Sequence, residues 1–247
     1  MSEVLSMVSL PNLQGQFYQL CLRDLHRAIS PKTYLEVGTL GGDTLRLASC
    51  RSVAVDPKFR LTEPSVGAKP ALHFFQMESD AFFAMHNPTA FLGGAIDLAF
   101  LDGMHLFEFL LRDFINTERA CHSGSTIVLH DCVPLDRFMA TRDIDDHETR
   151  SKSQYPQWWT GDVWKVVPIL RHYRPDLKVT LFDAPPTGLA VITGLDPTNR
   201  VLGEHYDSIL KPDPACPWHD DGIGHYLSNV TLISTSNLLD GIERGRS

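Results

Sequence analysis

A chain of 247 residues, 43% hydrophobic and 21% charged, is long enough to bury one full globular core, with room for appendages. No apolar run approaches the ~20 residues that a membrane span needs. A formal net charge of -8, with no basic run, argues against a nucleic-acid footprint. Cys21, Cys50, Cys121, Cys132 and Cys216 are odd in number and scattered, without a C-x-x-C pair, which reads as free thiols in a reducing compartment. The opening MSEVLSMVSLPN lacks a basic stretch followed by an apolar core, so no secretory signal is expected. The expected location is cytoplasmic, with neither membrane nor nucleic acid as partner.

In chain order, 13–29 carries Phe17, Leu20, Cys21, Leu25 and Ile29 near helical spacing and predicts a helix lying across the sheet or lining its crevice, ended by Ser30-Pro31. Tyr34-Leu35-Glu36-Val37 is a short buried strand. Gly38, Gly41 and Gly42 then permit a tight turn and close approach of backbone to a ligand. Asp43-Thr44 opens a short apolar helix through Leu45, Leu47 and Ala48. Ser52-Val53-Ala54-Val55 is the second strand and ends on Asp56. A polar loop over 58–70 leads to a third strand over 71–76. Met77-Glu78-Ser79-Asp80 opens a helix through Phe82, Phe83 and Met85. Residues 95–101 form a nearly all-apolar strand, as burial on both faces requires, and it ends at Asp102-Gly103-Met104-His105. A helix over 106–120 follows, Ser123-Gly124 turns the chain, and Thr126-Ile127-Val128-Leu129 lands on His130-Asp131-Cys132.

Over 133–161 the periodicity fails. So long a structureless segment reads as a lid or a partly disordered loop. Helical spacing returns over 163–173. Two strands over 178–182 and 189–192 are joined by a hairpin loop. The tail carries several prolines and one helical period over 223–239. It reads as an appendage, packed on the domain or forming a homodimer contact. Alternating strands and helices demand an α/β fold of the Rossmann-like, three-layer kind, with a mostly parallel sheet of about seven strands and an antiparallel closing hairpin. The expected divisions are an N-terminal helical segment (1–30), a cofactor-binding domain (31–195, with the lid at 133–161) and a C-terminal appendage (196–247).

Acids at strand ends converge on one crevice at the carboxyl edge of a parallel sheet. Asp56, after the second strand, can accept hydrogen bonds from both ribose hydroxyls. Glu36 is an anion expected to face the same crevice, which suits a cationic cofactor better than a pyrophosphate. Leu40 occupies the second glycine of the dinucleotide fingerprint and opposes NAD, and no phosphate-binding G-x-x-x-x-G-K-[ST] loop occurs. Together these favour S-adenosylmethionine.

YLEVGTLGGDT, VAVDP, the Glu78-Ser79 pair, IDLAFLDGMH and STIVLHDC resemble the motifs of class I S-adenosylmethionine-dependent methyltransferases. FLDGMH and LHD are similar to the small-molecule group called methyltransferase family 24, related to the catechol and caffeoyl-CoA O-methyltransferases. The resemblance spans about residues 30–195 and leaves out the tail. It implies that Glu36, Gly38 and Thr39 meet the methionine end of the cofactor. Asp56 would hold the ribose, Met77, Glu78 and Ser79 would flank the adenine, and Asp102 would sit beside the reacting methyl. Catechol-type enzymes bind Mg²⁺ through an Asp after the fourth strand and an Asp-Asn pair after the fifth. Here that pair is His130-Asp131, and a nitrogen ligand suits Mg²⁺ poorly. Two options stay open: a divalent metal of another kind, its ligands unassigned, or a metal-free site with a histidine base, which is preferred.

For a hydroxyl acceptor something must take the proton, and His105 and His130 suit that task. The helix dipole is expected to keep His105 neutral. Asp102, His105, His130 and Asp131 are therefore the candidate catalytic residues. Asp113 could orient His105 but reads better as a solvated acid. Trp164 reads as core, Trp158 and Trp159 as lid packing or acceptor wall, and 216–221 lacks the ligands of a zinc site. The expected activity is methyl transfer to a small-molecule acceptor, at a hydroxyl oxygen, by in-line displacement with a His/Asp base. The alternatives are a nonenzymatic adenosyl-binding or regulatory protein of the same fold, and an NAD-linked oxidoreductase.

Overall fold

The computed structural model describes residues 11–62, 65–211 and 214–243. Most of the segment on which the secretory-signal expectation rests lies outside the described residues. Among those described, no helix is long and apolar enough to cross a membrane.

Helix α1 (Tyr18–Ile29) precedes the sheet, starting later than its periodicity predicts. It ends where Ser30 adopts a left-handed conformation and donates its N–H to His26. The seven strands are β1 (Thr33–Val37), β2 (Arg51–Val55), β3 (Leu72–Phe75), β4 (Ile96–Leu101), β5 (Cys121–His130), β6 (Lys178–Phe182) and β7 (Leu189–Thr193). Their order is β3-β2-β1-β4-β5-β7-β6. The first five run parallel, and β7 lies antiparallel between β5 and β6. The ends of β1, β2, β4 and β5 thus share one edge, and β1 and β4 are neighbours at the reversal of strand order where ligands bind in open α/β sheets.

Strand alternation sorts the core into two layers. Leu35, Val37, Val53, Val55, Ala99, Leu101, Ile127 and Leu129 share one layer with residues of α4 (Phe107–Arg119) and α6 (Val166–Tyr173). Tyr34, Ala54, Leu98, Phe100 and Val128 pack with Cys21, Leu22 and Leu25 of α1. Between the third and fourth strands lie α2 (Ser79–Met85) and α3 (Pro88–Leu92).

Two local expectations are corrected. The helix after Asp43-Thr44 is a single 3-10 turn over Leu45–Leu47, because β2 begins at Arg51 and leaves no room for a second turn. The turn at Ser123-Gly124 is a bulge inside β5, where the register with β4 jumps between Ile96 and Leu98. Ser125 stabilises it by accepting the His122 N–H and donating its hydroxyl to the Ile96 carbonyl.

The segment 133–161 is irregular apart from α5 (His147–Arg150). Beyond β7 come α7 (Val201–Glu204), α8 (Tyr206–Ile209), α9 (Ile223–Asn229) and α10 (Leu238–Glu243). The expected period over 223–239 is broken after α9, where Ile233 bridges to Phe182 beside β6. Trp218, Tyr226 and Leu227 enter the larger core layer and Leu238 the other. Tyr226 donates its hydroxyl to the Cys132 carbonyl, one residue from Asp131.

Candidate active site

A cavity of about 590 Å³ opens at the shared strand edge, lined by Gly38, Asp56, Glu78, Ser79, Asp102, His105, His130 and Asp131 among others. Gly38 has φ +86, and a Cβ there would lie 1.9 Å from the Asp102 carbonyl oxygen, so glycine alone lets β1 turn against the end of β4. Asp56 is buried. Its Oδ2 accepts the Leu40 N–H at 2.7 Å and its Oδ1 the Lys58 N–H at 2.7 Å. A carboxylate has about four lone-pair sites, so two remain for hydroxyls in the cavity.

Three of the expected cofactor residues are not among those lining the cavity. Glu36 is fully buried and accepts the Tyr34 hydroxyl at 2.6 Å. The reason is strand alternation: residues 34 and 36 share the face turned to α1, so Glu36 does not project into the crevice as expected. Burial raises its carboxyl to about 7, against the hydroxyls of Tyr34, Thr39 and Thr44 that hold it down. Thr39 is buried in the turn, and Met77 packs half-buried on the core.

The four remaining candidates form one cluster. His105 Nε2 lies 3.2 Å from Asp131 Oδ2 and 3.6 Å from Asp102 Oδ1. His130 Nδ1 lies 3.2 Å from Asp102 Oδ1 and 3.5 Å from Asp131 Oδ1. Asp131 adopts φ +59, left-handed for a residue with a side chain. The Thr187 hydroxyl, from the β6–β7 loop, donates to Asp131 Oδ1. Tyr18 of α1 covers His130, ring centroids 4.2 Å apart. Burial drives the Tyr18 phenol up to about 12.

The expected neutral His105 is overturned. Burial pulls its pKa down, but Asp131, Asp102 and the Trp159 carbonyl outweigh it and raise the imidazole to about 9. The helix dipole that was to disfavour the charge is met by Asp162, whose Oδ1 accepts the first free N–H of α4, at Phe107, 2.9 Å away. His130 is likewise raised against its burial by Asp131 and Asp102. Asp131 is held well below the usual carboxylate range: burial opposes this, and the two histidines prevail.

Ligand atoms of Asp102, His105 and Asp131 all lie within 4.8 Å of one another. Two carboxylates with an imidazole suit manganese or zinc better than magnesium, which favours oxygen throughout. Each of these groups already has a protein partner in the cluster.

Asp113 is a second correction. It is 1% exposed, not solvated, and burial raises its carboxyl to about 7 in spite of a hydrogen bond with Ser79. A carboxyl protonated in the folded chain and ionised in the unfolded one lowers stability as pH rises between the two pKa values. Wild type is expected to lose about 2 kcal/mol relative to Asp113→Asn between pH 5 and pH 6.5, at about 1.4 kcal/mol per pH unit. Urea unfolding of both proteins at the two pH values checks this, and parallel stabilities would mean that Asp113 ionises normally.

Several residues that line the cavity or touch its histidine–aspartate cluster escaped the sequence reading. Asp80 directly follows Ser79, and Phe109 lies one helical turn beyond His105, so helix spacing could have found both. Thr187 and Tyr18 are far from the strand ends in sequence, and no local signal marks them. Trp164 is core, as expected, at 1% exposure. Trp158 stacks on Tyr155 at the surface, whereas Trp159 stacks on His105.

The profile of a family described as a methyltransferase domain, methyltransferase family 24, matches residues 35–132. No curated protein matches the sequence. Among solved structures, an O-methyltransferase from Bacillus cereus in complex with SAH is similar at 14% identity, covering 76% of this chain and 84% of that one, with a TM-score of 0.50. The O-methyltransferase TomG from Streptomyces achromogenes, involved in tomaymycin synthesis and crystallised with SAM, is similar at 15% identity over 72% of this chain and 80% of its own, with a TM-score of 0.49. The strand order and closing hairpin are those of the Rossmann-like methyltransferase fold, and within it residues 35–132 match the model of methyltransferase family 24.

Proposed function

We propose that the chain transfers the methyl group of S-adenosylmethionine to a hydroxyl oxygen of a small-molecule acceptor in the cytoplasm. One observation carries this reading. The acid suited to a ribose, Asp56, and the four proton-handling groups Asp102, His105, His130 and Asp131 line the same cavity. In this reading residues 31–195 are the catalytic domain, and the segments before and after it buttress the cavity.

The bound sulfonium supplies a methyl carbon already activated for displacement, so the protein has to align the acceptor and exclude water. Gly38 and Ser79 would border the cofactor, with Thr39, Met77 and Glu36 behind them. Glu78 would flank the adenine, and Asp56 would hold the ribose through its two remaining lone pairs. Asp102 would supply negative charge near the sulfonium. The acceptor hydroxyl lies against His105 Nε2, which takes its proton, while Asp131 and Asp102 stabilise the imidazolium that results. Thr187 holds Asp131 for that task.

Protonated His105 has no lone pair, so proton acceptance requires its neutral form. Turnover per free enzyme, kcat/KM, is therefore expected to climb with pH and level off only near pH 9. A profile already flat at pH 7 would assign the proton to another group.

The Asp102, His105 and Asp131 cluster favours one second reading, in which a divalent ion holds the acceptor oxygen. The deciding experiment is calorimetric titration with S-adenosylmethionine, S-adenosylhomocysteine and NAD, each with and without Mn²⁺, Zn²⁺ or Mg²⁺. Binding of both adenosyl ligands, and none of NAD, supports the cofactor reading. An ion that binds the adenosyl complex with its own saturable heat supports the second reading, no such heat supports the metal-free enzyme, and no adenosyl binding by folded protein rejects both.

A further inference from the structure

The segment Trp159-Thr160-Gly161-Asp162 closes the irregular loop and wraps around His105 from both sides. The Trp159 carbonyl lies 2.9 Å from His105 Nδ1. A carbonyl only accepts, so Nδ1 carries the proton and Nε2 is the atom turned toward Asp131 and Asp102. The Trp159 indole stacks on the imidazole, centroids 5.1 Å apart and planes at 24°. Its own N–H is spent on the Thr141 carbonyl at 2.6 Å, which fixes the ring from behind.

The backbone of the segment is equally committed. Thr160 N–H donates to the Met139 carbonyl at 3.0 Å. Gly161 has φ +57, and a Cβ there would lie 1.6 Å from the His105 carbonyl oxygen, so the chain passes directly against His105. Asp162 Oδ1 accepts the Phe107 N–H, while Oδ2 pairs with Lys165 Nζ at 2.9 Å and with Arg142 from the loop itself. Trp159, Gly161 and Asp162 thus meet His105 or the start of the helix that follows it, while Met139, Thr141 and Arg142 hold the loop end from behind.

We infer that Trp159 is a positioning residue for His105: its carbonyl and ring together fix the proton at Nδ1 and aim Nε2 at the Asp131–Asp102 pair. This rests on the reading above in which His105 handles the acceptor proton. The loop is then a brace for the site, and a shift of Trp159 would misaim His105 without touching the adenosyl pocket.

The test is nuclear magnetic resonance of protein labelled with ¹⁵N-histidine, with the His105 signal assigned by its loss in His105→Gln. Wild type is expected to show a His105 Nδ1–H slow to exchange with water. Trp159→Ala and Trp159→Leu should speed that exchange about tenfold, the size of an aromatic contact, while Trp159→Phe, which keeps a ring, retains most of the protection. The Phe107 amide, bonded to Asp162, reports whether the loop end stays docked, and affinity for S-adenosylhomocysteine should change less than about twofold. A His105 Nδ1–H exchanging at the wild-type rate in the alanine and leucine variants overturns the inference and leaves Trp159 as loop packing. Failure of wild type to bind S-adenosylhomocysteine would reject the cofactor reading and leave the His105 result standing.

Discussion

Asp56→Ala is expected to weaken binding of S-adenosylhomocysteine about a hundredfold, because two hydrogen bonds to a charged acceptor contribute about 3 kcal/mol together. Two of the carboxylate's lone pairs already hold Leu40 and Lys58 in place. The substitution therefore removes the ribose acceptors and also frees the loop that forms the cavity rim. Asp56→Asn separates these effects, since it keeps one acceptor oxygen and should fall between wild type and alanine. His105→Ala and His130→Ala sit at the acceptor end and should leave this affinity near normal. Calorimetry on wild type and the four variants reads all of it. An equal loss in the histidine variants would mean that the cluster, and not Asp56, holds the ligand.

How far this site was legible in the sequence depends on the distance over which each residue is positioned. Gly38, Asp56, Asp102, His130 and Asp131 follow directly from strands, and a parallel strand delivers its last residue to the shared edge whatever happens elsewhere. The closing β6–β7 hairpin was legible for a similar reason, as two apolar runs joined by a turn-rich loop. Glu36 misled because strand-end position was read without strand alternation: residue 34 is buried against α1, so residue 36 must be too. His105 misled because its charge is set by Asp131, which the next strand brings within 3.2 Å. A local rule about helix termini cannot see that contact. Asp113 is the same failure in reverse, an acid read as solvated from composition but turned under Ser79 by helix packing. Trp159, Thr187 and Tyr18 come from segments without periodicity or from the far end of the chain, and only tertiary structure brings them to the histidines.

The tail is where sequence said least, and the buried ion pair that meets its first residue makes the largest stability prediction. Arg174, 1% exposed at the end of α6, meets Glu118 of α4 through two parallel hydrogen bonds of 2.7 and 2.9 Å, and also bonds Asp176. Glu118 Oε1 further accepts the Asp196 N–H, at the point where the chain leaves the closing hairpin for the tail. Arg174→Met would leave the Glu118 carboxylate buried without its cation, a loss of about 3–5 kcal/mol. For a chain of this size that lowers the melting temperature by about 10 °C. The penalty comes from the stranded charge more than from the lost attraction, so Arg174→Met combined with Glu118→Met should recover at least half of it. Calorimetric melting of the two single variants and the double variant tests the argument. Additive losses in the double variant would mean that the two side chains are not coupled, and would overturn the argument. A loss under about 1 kcal/mol in Arg174→Met would mean that water reaches Glu118 and that the tail is held mainly by Trp218 and Tyr226 in the apolar layer.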